Sequence, residues 1–169
     1  MPVLVITGTM GSGKTTILGE TSDLLTAHGI GHAAIDLDTL GIGHLPERAW
    51  ADLSYRNLAS VWQNYVAAGA TRLLLAAAVE NVGELNRIRA AVPNAQILVC
   101  RLTGRLETMQ RRVSQREPGM SRNLFVARVA ELEAVLDRSS VEDFSLSTDD
   151  DRSVTEVALE MLSLANWLG

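Results

Sequence analysis

Residues 8–15 read Gly8-Thr9-Met10-Gly11-Ser12-Gly13-Lys14-Thr15. No other stretch of the chain restricts its fold so tightly. The spacing is G-x-x-x-x-G-K-[ST], that of a phosphate-binding loop. Polyphosphate chemistry explains the residue types. Glycines let backbone N–H groups curl round phosphate oxygens with no Cβ in the way. The following helix aims its unpaired N–H groups and partial positive charge at the same anion. Lys14 would reach the β- and γ-phosphates, and the Thr15 hydroxyl would take a Mg²⁺ site. The context agrees. Pro2-Val3-Leu4-Val5-Ile6-Thr7 is a short apolar run suited to a buried parallel strand. From Thr16 to His28, Ile17, Leu18, Leu24 and Leu25 recur at helical spacing. Strand, loop and helix then follow one another as the motif requires. Lys14 is also the only lysine, every other cation being arginine. That fits a need for a compact ammonium rather than a planar fork.

Composition excludes several classes. A chain of 169 residues, 47% hydrophobic and 21% charged, can bury one real core and is not disordered. The net charge of −5 argues against bulk binding to nucleic acid or an anionic membrane. A single cysteine, Cys100, forms no internal disulfide and reads as a small buried residue at a strand end. The first strand starts at residue 2 with no basic leader, and no apolar run is of membrane-spanning length. A cytoplasmic protein is expected.

The remaining chain alternates strand and helix. After a stop at Gly29–Gly31, His32–Asp36 reads as the second strand. It leaves Asp36 and Asp38 at its C-terminal end, where ligands sit in open α/β sheets. Ser54 reads as the N-cap of a helix whose face carries Leu58, Val61, Trp62 and Tyr65 and which ends at Gly69. Thr71–Val79 reads as a third strand. Leu85, Ile88 and Val92 mark a short helix, and Gln96–Leu102 a fourth strand. In the helix from Gly104 to Arg116, a 100° step puts Arg105, Arg112 and Arg116 along one edge. Glu117-Pro118-Gly119 breaks that helix. Asn123–Asp137 is the next one, Phe144–Thr148 a fifth strand, and Ser153 caps a final helix. Five strands in β/α alternation predict one α/β domain, residues 1–169, with a parallel sheet and right-handed crossovers.

In these features the chain resembles the small P-loop kinases, namely the gluconate, shikimate, adenylylsulfate and nucleoside monophosphate kinases. The loop GTMGSGKTT at 8–16 carries most of the likeness. Leu102-Thr103-Gly104 through Arg112-Val113-Ser114-Gln115-Arg116 is similar to the helix-and-lid stretch of gluconate kinases. There the matching arginines lie near adenine and the phosphates. Leu146–Ser153, with Asp149, resembles the loop that packs on adenine. The resemblance implies a three-layer α/β/α fold, strand order 2-3-1-4-5 and a mobile lid near 117–123. Asp36-x-Asp38 resembles the acidic pair that shikimate kinases place after strand two. The segment after strand three departs from the family patterns. It also lacks the Asp of a standard Walker B strand, for which Glu80 could substitute.

The expectation is an ATP-dependent, Mg²⁺-dependent phosphotransferase acting on a small molecule. Nucleotide contacts fall on Gly8, Met10, Gly11, Ser12, Gly13, Lys14, Thr15, Thr16, Arg112 and Asp149. Metal contacts fall on Thr15 and Asp36. Catalysis falls on Lys14, on Asp38 as the carboxylate facing the acceptor hydroxyl, and on Arg116 as a lid cation. Each has a plainer reading. Asp36 and Asp38 could be a solvated pair, with Asp36 capping a turn. Arg112 and Arg116 could be a solvated helix edge. Glu80 could be a charge favoured by a helix N-terminus. His44, Arg48, Trp50 and Tyr55 fall where acceptor contacts would lie, and equally on ordinary surface. The rival class is a nucleotide-binding regulatory or assembly protein with slow hydrolysis or none.

Overall fold

The computed structural model describes residues 1–43, 52–117, 119–149 and 151–168. Five strands form one sheet: β1 (Pro2–Thr7), β2 (His32–Asp36), β3 (Arg72–Ala76), β4 (Gln96–Thr103) and β5 (Phe144–Ser147). Their order is β2-β3-β1-β4-β5, and every pairing is parallel. Six α-helices accompany them among the described residues: α1 (Lys14–Ala27), α2 (Leu53–Ala67), α3 (Val82–Ala91), α4 (Leu106–Arg116), α5 (Arg122–Ser139) and α6 (Val154–Leu164). The expected fold class and strand order are both present.

The period of two along a strand explains the layers. Val3 and Val5 of β1 join Leu73 and Leu75 of β3 in one core, closed by Leu58 and Trp62 of α2 and Ile88 of α3. Leu4 and Ile6 point the other way. They join Leu74, Cys100 and Leu102 in a second core, closed by Ile17 and Leu25 of α1 and Val157 and Met161 of α6. A strand buried on both faces has to be apolar throughout, as β1 is. Cys100 is fully buried, and burial pushes its thiol up to about 12, which fits an inert packing residue.

A third, smaller cluster joins α4 to α5 through Met109, Val113 and Val129, with Met10 and Phe125 packed against it. On the same side, Arg101 of β4 is only 4% exposed. Its guanidinium meets Glu133 and Asp137 of α5, each at 2.7 Å, and Glu142 at 3.6 Å. Helix α5 is thereby tied both to the sheet and to the loop carrying Met10.

Several boundaries differ from the sequence reading. Strand β3 stops at Ala76, not Val79. Its last partner on β2 is Asp36, and beyond that pair β2 turns away. Residues Ala77 and Val79 stay buried but bond to the end of β1, Ala77 N–H to the Ile6 carbonyl and Val79 N–H to Thr7 Oγ1. Helix α2 begins at Leu53 with Asp52 as N-cap, so Ser54 lies inside its first turn. A 3-10 helix, Leu37–Gly41, follows β2 directly, capped by the Asp36 side chain. Ser153 does cap α6, in a reciprocal arrangement with Glu156. Among the described residues no helix is long and apolar enough to cross a membrane.

Candidate functional site

The loop between β1 and α1 is shaped by its glycines. Gly11 has φ +77°, and a Cβ there would run into the Met109 carbonyl of α4. Gly13 is the N-cap of α1 at φ +93°, a conformation costly for a residue with a side chain. The first amides of α1 have no partner within the helix and face the hollow of the loop. Lys14 folds back over that hollow, its Nζ donating to the carbonyls of Gly8 at 2.9 Å and Thr9 at 3.1 Å. Burial pulls its ammonium below the ordinary value of 10.5. The charges of Asp38 and Asp36 oppose that shift, and Arg116 adds to it.

Three chain segments converge here. A pocket of about 160 Å³ is lined by Met10, Gly13, Lys14, Thr15, Thr16, Asp38 and Arg116. Thr15 Oγ1 donates to Asp36 Oδ2 at 2.7 Å. The other oxygen of Asp36 accepts from the Asp38 amide at 3.2 Å. Asp36 therefore both caps a turn and reaches the P-loop, so its plainer and its functional readings are compatible. Asp38 carries an exposed side chain, yet its carboxyl stands above the ordinary 3.8. Desolvation in the cleft raises it, the Lys14 charge lowers it and the Asp36 charge raises it again.

The donors suit Mg²⁺. A hydroxyl and a carboxylate are hard oxygen ligands, and this ion keeps several waters and takes one or two carboxylates plus substrate phosphates. Among the described residues no group of three or more His, Cys, Asp or Glu could hold a metal.

Next to this pocket, sharing Gly13 and Thr16 with it, lies a second of about 190 Å³. Ile17, Val154 and Val157 give it apolar walls, and Arg112, Thr148, Arg152 and Ser153 its polar ones. Arg112 Nη2 donates to the Thr148 carbonyl at 2.6 Å, and its Nη1 to the Gly11 carbonyl at 3.4 Å. Thr148 Oγ1 donates to the Ser12 carbonyl at 2.9 Å. The P-loop, α4 and the loop after β5 are thus locked together.

The arginines expected along one edge of α4 part company. Arg112 and Arg116 line the two adjoining pockets. Arg105 precedes the helix in extended conformation, so the 100° step does not reach it. It pairs instead with Asp149 at 3.6 Å. Asp149 is bonded to neighbouring segments of the chain. It accepts from the Arg105 amide at 2.9 Å and from Ser147 Oγ at 3.2 Å, and it does not line the pocket. Those bonds, the Arg105 amide first, hold its carboxyl below 3.8.

The carboxylate beside Thr15 is that of Asp36, at the end of β2, and not that of Glu80. The Glu80 carboxylate lies 3.4 Å from Arg128 of α5. Tyr55 lines a separate hollow between α2 and α3 with Asp52, Arg56 and Arg87. His44, Arg48 and Trp50 lie outside the described residues, as does Pro118 of the expected lid. Thr148 and Arg152 fall within the segment 146–153 that resembles the adenine loop, but neither is singled out there individually. Their placement comes from contacts between β5, the P-loop and α6.

The chain matches no protein-family model, and no curated protein matches it. Solved structures do. A sugar kinase of Janibacter sp. HTCC2649 is 21% identical, with 98% of this chain and 95% of that one covered and a TM-score of 0.65. The APS kinase of Mycobacterium tuberculosis, solved with AMPPNP and APS, is 22% identical over 98% and 97% of the two chains, at a TM-score of 0.65. A gluconokinase of Sinorhizobium meliloti 1021 is 16% identical over 98% and 92%, at 0.63. The chain has the fold of the small P-loop kinases.

Proposed function

We propose that the protein is an ATP- and Mg²⁺-dependent phosphotransferase that moves the γ-phosphoryl of ATP to a hydroxyl of a small-molecule acceptor. The observation that carries this reading is the convergence of Lys14, Thr15, Asp38 and Arg116, from three separate segments, on one pocket at the N-terminus of α1. The kinases of like fold support it.

In this reading the loop amides and Lys14 hold the β- and γ-phosphates. Thr15 and Asp36 would hold Mg²⁺, which would offset the charge of the triphosphate. Asp38 accepts the acceptor's hydroxyl proton as the oxygen attacks the γ-phosphorus. Arg116, at the edge of a lid near 117–123, supplies positive charge to the phosphoryl group in flight. Arg112 closes the triphosphate side next to Gly11. Catalysis is then chiefly positioning and charge stabilisation within one domain, residues 1–169.

A second reading has one observation in its favour. The chain leaving β3 is apolar and buried at Ala77 and Val79, and the first carboxylate after it, Glu80, is engaged with Arg128. A nucleotide-binding regulatory protein with little hydrolysis would tolerate that. One experiment separates the two. ADP release is followed with a panel of hydroxyl metabolites, for wild type and for Lys14→Ala. Acceptor-dependent release that Lys14→Ala abolishes supports the kinase. ATP binding without acceptor-dependent turnover supports the regulatory protein. Unchanged ATP affinity and turnover in Lys14→Ala would remove both.

A further inference from the structure

Thr9 is the residue of the stretch 8–16 that has no part in the nucleotide contacts expected there, and it is fully buried. Its hydroxyl reaches out of the loop. Oγ1 donates at 3.1 Å to the Val129 carbonyl of α5, 120 residues along the chain. Its own carbonyl accepts from Lys14 Nζ at 3.1 Å and from the Ser12 amide at 3.3 Å. One residue thus joins α5 to the Lys14 ammonium.

The acceptor is unusual for such a bond. Val129 lies inside α5, so its carbonyl already has a helical donor in the amide of Glu133, four residues on. The Thr9 hydroxyl is a second donor to that oxygen, one that the helix does not need. The Glu133 side chain is itself held by Arg101 of β4 at 2.7 Å. The anchor point of Thr9 is therefore fixed to the sheet one turn further along α5.

A buried hydroxyl needs a partner, and a threonine in a loop ordinarily finds one in nearby backbone. A partner on α5 instead ties the path of the loop at residue 9 to the position of that helix. Met10 also packs on α5, against Val129 and Phe125, but methionine adapts its shape and sets no single position. A hydrogen bond is restricted in both distance and angle.

We infer that Thr9 is a positioning residue, through which α5 fixes the phosphate-binding loop and with it the Lys14 ammonium. This inference rests on the phosphotransferase reading only through its nucleotide site.

Thr9→Ala and Thr9→Ser differ from each other by the hydroxyl alone, so comparing them removes the effect of the lost methyl. Thr9→Val fills the space of the methyl and lacks the hydroxyl. Each full chain is titrated with a non-hydrolysable ATP analogue and Mg²⁺ by calorimetry. Amide hydrogen exchange across α5 is followed without the analogue and with it, at equal occupancy. Thr9→Ala and Thr9→Val should weaken binding by roughly threefold to tenfold, within the worth of one neutral hydrogen bond, and Thr9→Ser should bind as wild type does. Coupling is reciprocal, so filling the loop should also hold the helix. The analogue should slow exchange around residues 129–133 in wild type and Thr9→Ser, and much less in Thr9→Ala. A hydroxyl with a merely structural role would change stability and leave that protection in place. Equal losses of affinity in Thr9→Ala and Thr9→Ser would assign the effect to the methyl and overturn the inference. So would wild-type affinity in Thr9→Val, or full protection of α5 in Thr9→Ala. A wild-type protein that does not bind the analogue would overturn the nucleotide site itself, and this inference with it.

Discussion

Thr15 Oγ1 and Asp36 Oδ2 lie 2.7 Å apart, joining the first turn of α1 to the C-terminal end of β2. The P-loop hydroxyl thus has its carboxylate partner on the strand beyond β3, not on β3. In the proposed reading these two oxygens serve the Mg²⁺ ion that accompanies the triphosphate. Donation to Asp36 leaves the lone pairs of Thr15 free to face that ion, which is how an outer carboxylate commonly orients a ligand.

Asp36→Asn should therefore raise the Mg²⁺ concentration needed for half-maximal nucleotide binding by about 10–100-fold, the usual effect of removing such a partner. Asparagine keeps an oxygen for the Asp38 amide, so the 3-10 turn should survive. Thr15→Val should do the same, and Thr15→Ser should be near wild type. Nucleotide titrations across a Mg²⁺ series read this directly. A half-point that does not move in Asp36→Asn would leave Asp36 as a turn cap only.

A second prediction concerns stability. Arg101 is buried among Glu133, Asp137 and Glu142, and its Nε and Glu133 Oε2 have no hydrogen-bond partner among the described residues. Removing one member of such a group strands the charges left behind, at about 3–5 kcal/mol. Arg101→Met should fall at the low end of that range. Asp137 is 66% exposed and can rehydrate, while Glu133 at 20% cannot do so fully. Urea unfolding should show a lower midpoint with an unchanged slope. An equally stable Arg101→Met would mean that desolvating the group offsets its attraction entirely.

How far the sequence could be read depends on how local each cause is. The β1–loop–α1 unit was legible because motif, apolar run and helical period all lie within residues 2–28. The Ser153 cap was legible because its partner, Glu156, is three residues away. The strand order came with the family resemblance, since periodicity carries no information about which strands are neighbours. β3 was read too long because Ala77 and Val79 are apolar for a reason unrelated to the ladder. They are buried under the end of β1 after β2 has already turned away. The convergence of Lys14, Thr15 and Asp38 on one pocket was legible, and the surroundings of Asp149 and Arg152 were not. Lys14, Thr15, Asp36 and Asp38 sit at fixed offsets from strand ends. Arg152 is placed by Glu160 and the Ser147 carbonyl, and Asp149 accepts from a backbone amide of another segment. Such contacts have no sequence period.

The final prediction concerns Asp38. It shares the phosphate pocket with Lys14, and Asp36 is two residues away. Desolvation raises its carboxyl above 3.8, the Lys14 ammonium opposes that, and Asp36 adds to it. The sign for activity follows. A base must be unprotonated, so transfer is lost as pH falls through the folded-state value. Because that value is raised, the loss begins at a higher pH than for an ordinary aspartate. The acid limb of kcat/KM should accordingly stand above 3.8. Stability responds to pH in the opposite direction. A carboxyl raised in the folded state disfavours folding once both states are ionised, and this cost disappears as pH falls through the raised value. Asp38→Asn should therefore fold at least as well as wild type at neutral pH. Its transfer rate should drop by roughly 10²–10⁴-fold, as for a lost general base, with ATP affinity nearly unchanged. The acid limb should vanish with it. The measurements are phosphoryl transfer across a pH series to an acceptor found in the metabolite panel, with ATP binding beside it. An Asp38→Asn protein that transfers at the wild-type rate and keeps the limb would remove Asp38 from the chemistry, and the limb would then belong to another group of the cleft.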